Sequence, residues 1–441
     1  MALQSGRRSV RVMAIVGLAH WMRGRRVLGV VAAAVALAGL LSAGASGSKP
    51  PQQGGLTPII LFPAYHFTRL LVTVHEQRVD AACPRSGSFE DFFPNPSPST
   101  TFSQVCRDEL MTLSYRPHGA WQTRFSDPKG VDVRIEDYGK VASAPFYEPM
   151  FDTLRAAGYT LDTNVRVAGY DARLTPDLDG FLERTKRLIE DTYRDNGGRP
   201  VQLVGHSNGP LYAQFLLTHT SEAWKDKYIH GFTPIAGNLP GQGSVYPLVF
   251  TGLNVQDFSF PTTPENARSS SLMLLSAPSS YMSMGDPRVF DRQETVVEDL
   301  ASGQTYTPSD FRALFTDADL PTALQLAQHY IGFVQFIDPA DFPNVDVYAE
   351  KGSGLETVVG AGLHDLSPGQ LLDASTPFFT RDGDINQEDI TNDAVSAWSA
   401  MRCWHFSLTD NPGVDHFALP SNPNLLARLI ADANTPRSNC S

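Results

Sequence analysis

An α/β fold built on a mostly parallel central sheet, with helices on both faces, is what this chain predicts, and three observations carry the prediction. Strand-length apolar runs alternate with helical patterns along the chain. At 441 residues and 42% hydrophobic content it can bury a large core. The apolar run at 201–204 leads through Gly205-His206-Ser207-Asn208-Gly209 into the helical pattern of 210–220, a strand, sharp turn and helix with a serine at the bend. In chain order, strands are expected at 59–62, 165–168, 201–204, 231–235 and 345–349. Helices are expected at 145–157, 178–196, 210–220 and 423–433. Pro210 does not argue against its helix, because N–H groups in the first turn have no intrahelical partner.

Gly205 to Gly209 reads G-x-S-x-G, and its surroundings are those of a nucleophile elbow, which narrows the fold to an α/β-hydrolase. The glycines allow two backbone segments to approach closely, so that a serine in a strained turn points its oxygen out of the sheet edge. Such a hydroxyl is a poor nucleophile until a histidine takes its proton and an acid orients the imidazolium. In this fold the order is serine, acid, histidine, so both partners are sought after Ser207. His416 follows the turn-rich Thr409-Asp410-Asn411-Pro412-Gly413 and precedes the last helical pattern, and is the expected base, with His405 the alternative. His219 and His230, next to the elbow helix and a strand, are read as structural. The turn at 379–386 makes Asp384 the expected acid, with Asp382 and Asp389 as alternatives and turn capping as the competing role. The oxyanion hole needs two backbone N–H groups. Asn208 supplies one, and Tyr65 or His66, in the loop after the first strand, the other. His66 lies upstream of the serine, which argues against its being the base.

These residues resemble the lecithin:cholesterol acyltransferase family, including lysosomal phospholipase A2, over about residues 56–432 with gaps. The likeness rests on Pro58 to Leu70, on Gly130 through Gly158-Tyr159 to Gly169-Tyr170-Asp171-Ala172-Arg173, on the elbow followed by Trp224-Lys225-Asp226-Lys227-Tyr228-Ile229, and on Asp382-Gly383-Asp384 with His416. Departures are Ala64 for a usual Gly, Ala172 for a Trp, Asn208 for a Met, Pro210 for a Gly, and Ile385-Asn386-Gln387 after the acid. The resemblance implies a serine-dependent phospholipase/acyltransferase that moves a fatty acyl group from a glycerophospholipid to a lipid alcohol or to water. A lipase or esterase on simpler esters is the alternative, and a non-catalytic lipid-binding protein a further one. No cofactor and no metal is expected.

The net charge is −12, and the six arginines of residues 1–45 meet no acid there, so the remaining body is more acidic still. That excludes nucleic acid as a partner and long-range attraction to anionic membranes, while a zwitterionic membrane or lipid particle stays compatible. Basic residues, the apolar run from Val27 to Leu41 and Ala43-Gly44-Ala45 read as a signal peptide or signal anchor at 1–45. A linker follows at 46–55, then one domain at 56–441. This places the protein in the secretory pathway, secreted or lumenal, or anchored by a single span. Four cysteines, Cys83, Cys106, Cys403 and Cys440, suit disulfides there and allow three pairings. The resembled family has its first disulfide where Cys83–Cys106 would close a loop, and Cys403–Cys440 would tie the tail back beside the His416 loop. An insertion at 71–110 carries Phe92 and Phe93, expected to be exposed and to contact membrane, as this region docks on lipid surfaces in the resembled family. A second, at 236–340, is the expected cap, with the Ser-, Pro- and Thr-rich 252–284 as a mobile lid. Residues 350–380 read as irregular.

Overall fold

The computed structural model describes residues 55–76, 81–290, 294–438 and 440. The segment read as a signal at 1–45 and nearly all of the linker lie outside these residues.

The core is a six-stranded sheet of β1 (Ile59–Phe62), β2 (Val165–Val167), β3 (Val201–His206), β4 (Ile229–Ile235), β5 (Asp346–Ser353) and β6 (Phe406–Pro412). The strand order is β6-β5-β4-β3-β1-β2, and all five pairings are parallel. β1 and β3 are buried along their whole length, as strands covered on both faces must be. The chain leaves β1 for one edge at β2, then returns to β1's other side at β3. The loops after β1 and β3 therefore diverge at the carboxyl ends of the strands, the usual ligand position in such sheets.

Helices α1 (Glu148–Ala156), α2 (Phe181–Asp195), α3 (Gly209–Thr218) and α4 (Pro423–Ala433) cover the sheet. α3 is buried at nine of its ten positions, consistent with its almost wholly apolar sequence. α4 starts sharply because the Asn422 side chain accepts from the N–H groups of Asn424 and Leu425 and Pro423 follows it.

Among the described residues three further sheets stand outside the core, the smallest pairing Ser114–Tyr115 with Phe125–Ser126. Leu70–Val74 pairs antiparallel with Gly87–Asp91 and Val131–Ile135. A four-stranded sheet runs Gln304–Tyr306, Val297–Asp299, Leu355–Leu363, Phe378–Gly383. The last two strands correct the expectation that 350–380 is irregular. Its glycines mark close approaches of neighbouring chain, not looseness: a β-carbon at Gly360 would stand 2.6 Å from the Val296 carbonyl oxygen.

Most of 252–284 is also more regular than a lid-like composition implied. Pro264–Ser276 and Pro278–Met282 are helical. The serines are buried and hydrogen-bonded: Ser269 to the Asp108 carboxylate at 2.8 Å, Ser270 to the Leu253 carbonyl and Ser271 to the Val249 carbonyl, each at 2.6 Å. Burial pushes the Asp108 carboxyl up to about 8, against the opposing hydrogen bond from Ser269.

Disulfides join Cys83 to Cys106 and Cys403 to Cys440. The second does not lie beside the His416 loop. Cys403 precedes β6, whereas His416 follows its far end.

Phe92 and Phe93 are not exposed. They are 6% and 3% accessible, which corrects their expected membrane contact. Phe93 packs against Phe67 at 4.8 Å, Phe258 at 4.6 Å, Phe146 at 5.8 Å and Phe417 at 5.9 Å between ring centroids. Phe92 lies under the Arg69 guanidinium, 5.9 Å from its ring centre. A fully buried Phe gains about 1.5–3 kcal/mol over an exposed one, so an available aromatic cluster draws both rings inward.

Candidate active site

Ser207 sits between β3 and α3 with φ at 59°, the left-handed backbone conformation that a non-glycine residue holds only at a cost of about 1–3 kcal/mol. Its N–H donates to the Ile235 carbonyl at 3.0 Å, and its own carbonyl accepts from Asn238 N–H at 2.8 Å, so β4 and the loop after it hold the turn. The elbow glycines are required by crowding. A β-carbon at Gly205 would meet Pro210 N at 2.7 Å, and one at Gly209 would meet the Phe62 carbonyl oxygen at 2.1 Å. The second contact shows how closely α3 starts against the end of β1.

Asp384 follows Phe378–Gly383, the edge strand of the four-stranded sheet, and is fully buried. Its Oδ1 accepts from the N–H groups of Gln387 at 2.7 Å and Asn386 at 3.1 Å. Its Oδ2 stands 3.0 Å from His416 Nδ1, and Asn392 Nδ2 adds a weaker contact at 3.4 Å. His416 N–H donates to the Asp384 carbonyl at 2.9 Å, so backbone and side chain both tie the two residues. His416 is 2% accessible, and its ring lies 4.8 Å from that of His206, the residue before Ser207. Burial, helped by the nearby His416, pushes His206 well below the ordinary histidine range.

The alternatives lie elsewhere. Asp382 is exposed on its strand, and Asp389 opens the short helix Asp389–Asp393. His405 precedes β6, with its N–H donating to Asp346 and its ring against Tyr348 at 4.9 Å. His219 caps the end of α3, its ring stacked on Phe215 at 3.8 Å.

On the other side of the elbow, the loop after β1 carries Tyr65 and His66. His66 also has positive φ, 58°, and its carbonyl accepts from Phe93 N–H at 2.7 Å. The Ala64 N–H is taken by the Tyr147 hydroxyl at 2.8 Å, which leaves the next two amides as the loop's candidate oxyanion donors. Burial pushes the Tyr65 hydroxyl up. The Asn208 side chain is held by Asn238 at 2.7 Å and Ser283 at 3.0 Å, away from any role of its backbone N–H.

Sequence reasoning missed Asp91, whose Oδ2 lies 3.3 Å from His66 Nδ1, and Glu388. Glu388 is buried and accepts from Gly243 N–H at 2.8 Å, and desolvation pushes its carboxyl up to about 8. Nothing in a single sequence separates these carboxylates from surface ones. Among the described residues, no group of three or more His, Cys, Asp or Glu is placed to hold a metal ion.

Comparison with known proteins places the chain in a family. Residues 111–353 match the family model for lecithin:cholesterol acyltransferase. The lysosomal phospholipase A and acyltransferase of Mus musculus is 28% identical over 319 residues, covering 68% of this chain and 72% of the relative. The phosphatidylcholine-sterol acyltransferase of Gallus gallus is 25% identical over 338 residues, covering 74% and 78%. Among solved structures, a chain in the crystal structure of the Tle4–Tli4 complex aligns with a TM-score of 0.52 at 11% identity, covering 86% of this chain and 98% of that one, a likeness of fold alone. The chain belongs to the lecithin:cholesterol acyltransferase family and is an enzyme of the acyltransferase/phospholipase kind.

Proposed function

We propose that Ser207 takes an acyl group from a glycerophospholipid and passes it to a lipid alcohol or to water. The observation that carries this is the buried His416–Asp384 pair at 3.0 Å on the loop packed against the Ser207 elbow. His416 Nε2 takes the Ser207 proton as Oγ attacks the ester carbonyl. The oxyanion is held by the N–H of Asn208 and that of Tyr65 or His66. Collapse breaks the ester bond, and His416 returns the proton to the leaving lysolipid. The acceptor's O–H then gives its proton to His416 and attacks the acyl-enzyme, and His416 returns that proton to Ser207 Oγ as the acyl–oxygen bond breaks, which frees the serine and the product. Asp384 keeps the imidazole in its productive tautomer and stabilises the imidazolium.

The wall beside this site is aromatic. Phe67, Phe146, Phe258 and Phe417 lie within 6.5 Å of one another ring to ring in successive contacts. An apolar wall favours an acyl chain over a polar substrate and keeps water from competing with an alcohol acceptor. Residues 236–340 act as the cap over this wall, with Phe258 on the loop that meets it. The two disulfides support work in an oxidising compartment, the secretory lumen or beyond.

The test is phosphatidylcholine vesicles carrying a labelled acyl chain, with and without a sterol, with products resolved by mass spectrometry. Lipid ester establishes the transferase, and free fatty acid with lysolipid the phospholipase. Ser207→Ala should remove both products and all labelling by a fluorophosphonate. Turnover near the wild-type rate in that variant refutes the mechanism.

A further inference from the structure

We propose that Tyr147 and His206 are positioning residues that fasten the three loops of the active site to one another through a single directed string of hydrogen bonds. The inference rests on the reading of Ser207 and His416 given above. Three contacts make the string. Ala64 N–H donates to Tyr147 Oη at 2.8 Å, Tyr147 Oη meets His206 Nδ1 at 2.9 Å, and His206 Nε2 meets the main-chain carbonyl of His416 at 3.1 Å. Ala64, Tyr147, His206 and His416 are each at most 3% accessible, so no water competes for these groups.

The chemistry leaves one arrangement of protons. A carbonyl oxygen only accepts, so His206 Nε2 must carry the ring proton. Nδ1 of a neutral ring is then an acceptor, and the one phenolic proton of Tyr147 goes to it. That frees the Tyr147 oxygen to accept from Ala64. A doubly protonated His206 would push a second N–H at an oxygen already receiving one, and would place a cation 4.8 Å from the ring of His416. The rings around His206 are apolar or neutral: Phe67 at 6.1 Å, Phe146 at 6.5 Å and Tyr147 at 5.8 Å.

The anchor points give the string its purpose. Ala64 immediately precedes Tyr65 on the oxyanion loop. His206 immediately precedes Ser207. The third anchor is the backbone of His416 itself, which Asp384 grips from the other side through both N–H and ring. Oxyanion donor, nucleophile and base are thus each fixed one residue or less from a common tie. In a low-dielectric interior such a chain is stronger than its separate links. Neither Tyr147 nor His206 touches the reacting atoms. They hold the geometry within which a misplacement of an ångström is costly.

Tyr147→Phe removes one oxygen and keeps the ring, leaving Ala64 N–H and His206 Nδ1 without their partner. On phosphatidylcholine vesicles kcat should fall about tenfold, with KM within about twofold. The rate of labelling by the fluorophosphonate should fall in step. Independently, spectra of the full-length wild-type enzyme carrying ¹⁵N-histidine should show His206 neutral, with its proton on Nε2, from about pH 5 to about pH 8. His206 is assigned by the resonance lost in His206→Asn. A folded Tyr147→Phe enzyme with wild-type kcat overturns the proposal, as does His206 protonated on Nδ1 or titrating in that range. If Tyr147→Phe fails to fold, the spectra decide. If the wild-type enzyme resists the fluorophosphonate, the reading of Ser207 fails, and the spectra still test the string.

Discussion

Two buried histidine–aspartate pairs stand on the loops around the elbow, and they are built differently. In His416–Asp384 the contact is a hydrogen bond of 3.0 Å, and two backbone N–H groups fix the carboxylate from behind. In His66–Asp91 the atoms approach to 3.3 Å without hydrogen-bond direction, and among the described residues neither ring nitrogen of His66 has a hydrogen-bond partner. The Asp91 carboxylate takes a 3.4 Å contact from the Gln256 side chain. Nearness and burial are common to both pairs. Alignment and support of the acid belong to one, and they are what let a base accept a proton and hold it.

Breaking the pairs one residue at a time tests that difference. His416→Ala should cost the most, on the order of 10⁴-fold or more in kcat for release of labelled fatty acid. Asp384→Asn keeps the shape but disturbs the tautomer, and should cost about 10³- to 10⁴-fold, with Asp382→Asn within about twofold of wild type. A reversal of the last two would move the acid to Asp382. Asp91→Asn should lower kcat by less than about tenfold, because it perturbs a loop and not a proton transfer. A loss there as deep as that of Asp384→Asn would erase the distinction drawn between the pairs.

The smallest effect concerns Glu388, which lies behind the aligned pair. Its carboxyl is protonated in the fold up to about pH 8 but ionises near 4.5 when the chain unfolds. Folding therefore takes up a proton between those values. The contribution of Glu388 to stability is whole below about 4.5, declines as pH rises, and levels off above about 8. Melting temperature measured from pH 5 to pH 8 should fall by a few degrees less in Glu388→Gln than in the wild type. Equal slopes would show that Glu388 is ionised in the fold.

The central sheet was legible because each of its first five strands holds a short, mostly apolar run, and three of them stand near a helix signal. Expected 59–62 is Ile59–Phe62, and expected 423–433 is Pro423–Ala433. The sixth strand was missed because Asp410-Asn411-Pro412 has the composition of a turn. It is an edge, where Pro412 needs no ladder donor and the Asn411 side chain is engaged by Glu350 and Arg428. Phe92 and Phe93 misled for a related reason: an apolar pair in a turn-rich stretch looks exposed until its neighbours are known, and these neighbours come from four distant segments. The elbow was legible because its constraints are local. Asp384 and His416, which the structure brings together, were expected from chain order, whereas Tyr147, Asp91 and Glu388 stand out only through contacts with residues at least 25 positions away.

Gly352 in β5 carries no functional group. A β-carbon there would lie 2.9 Å from that of Asp384 and 2.5 Å from the Val414 carbonyl oxygen, on the turn leading to His416. Any side chain there would push on both, so its tolerance of substitution should be as low as theirs. A saturation scan scored only for lost activity should return Gly352 as well, a position where the fold and not the chemistry forbids a side chain.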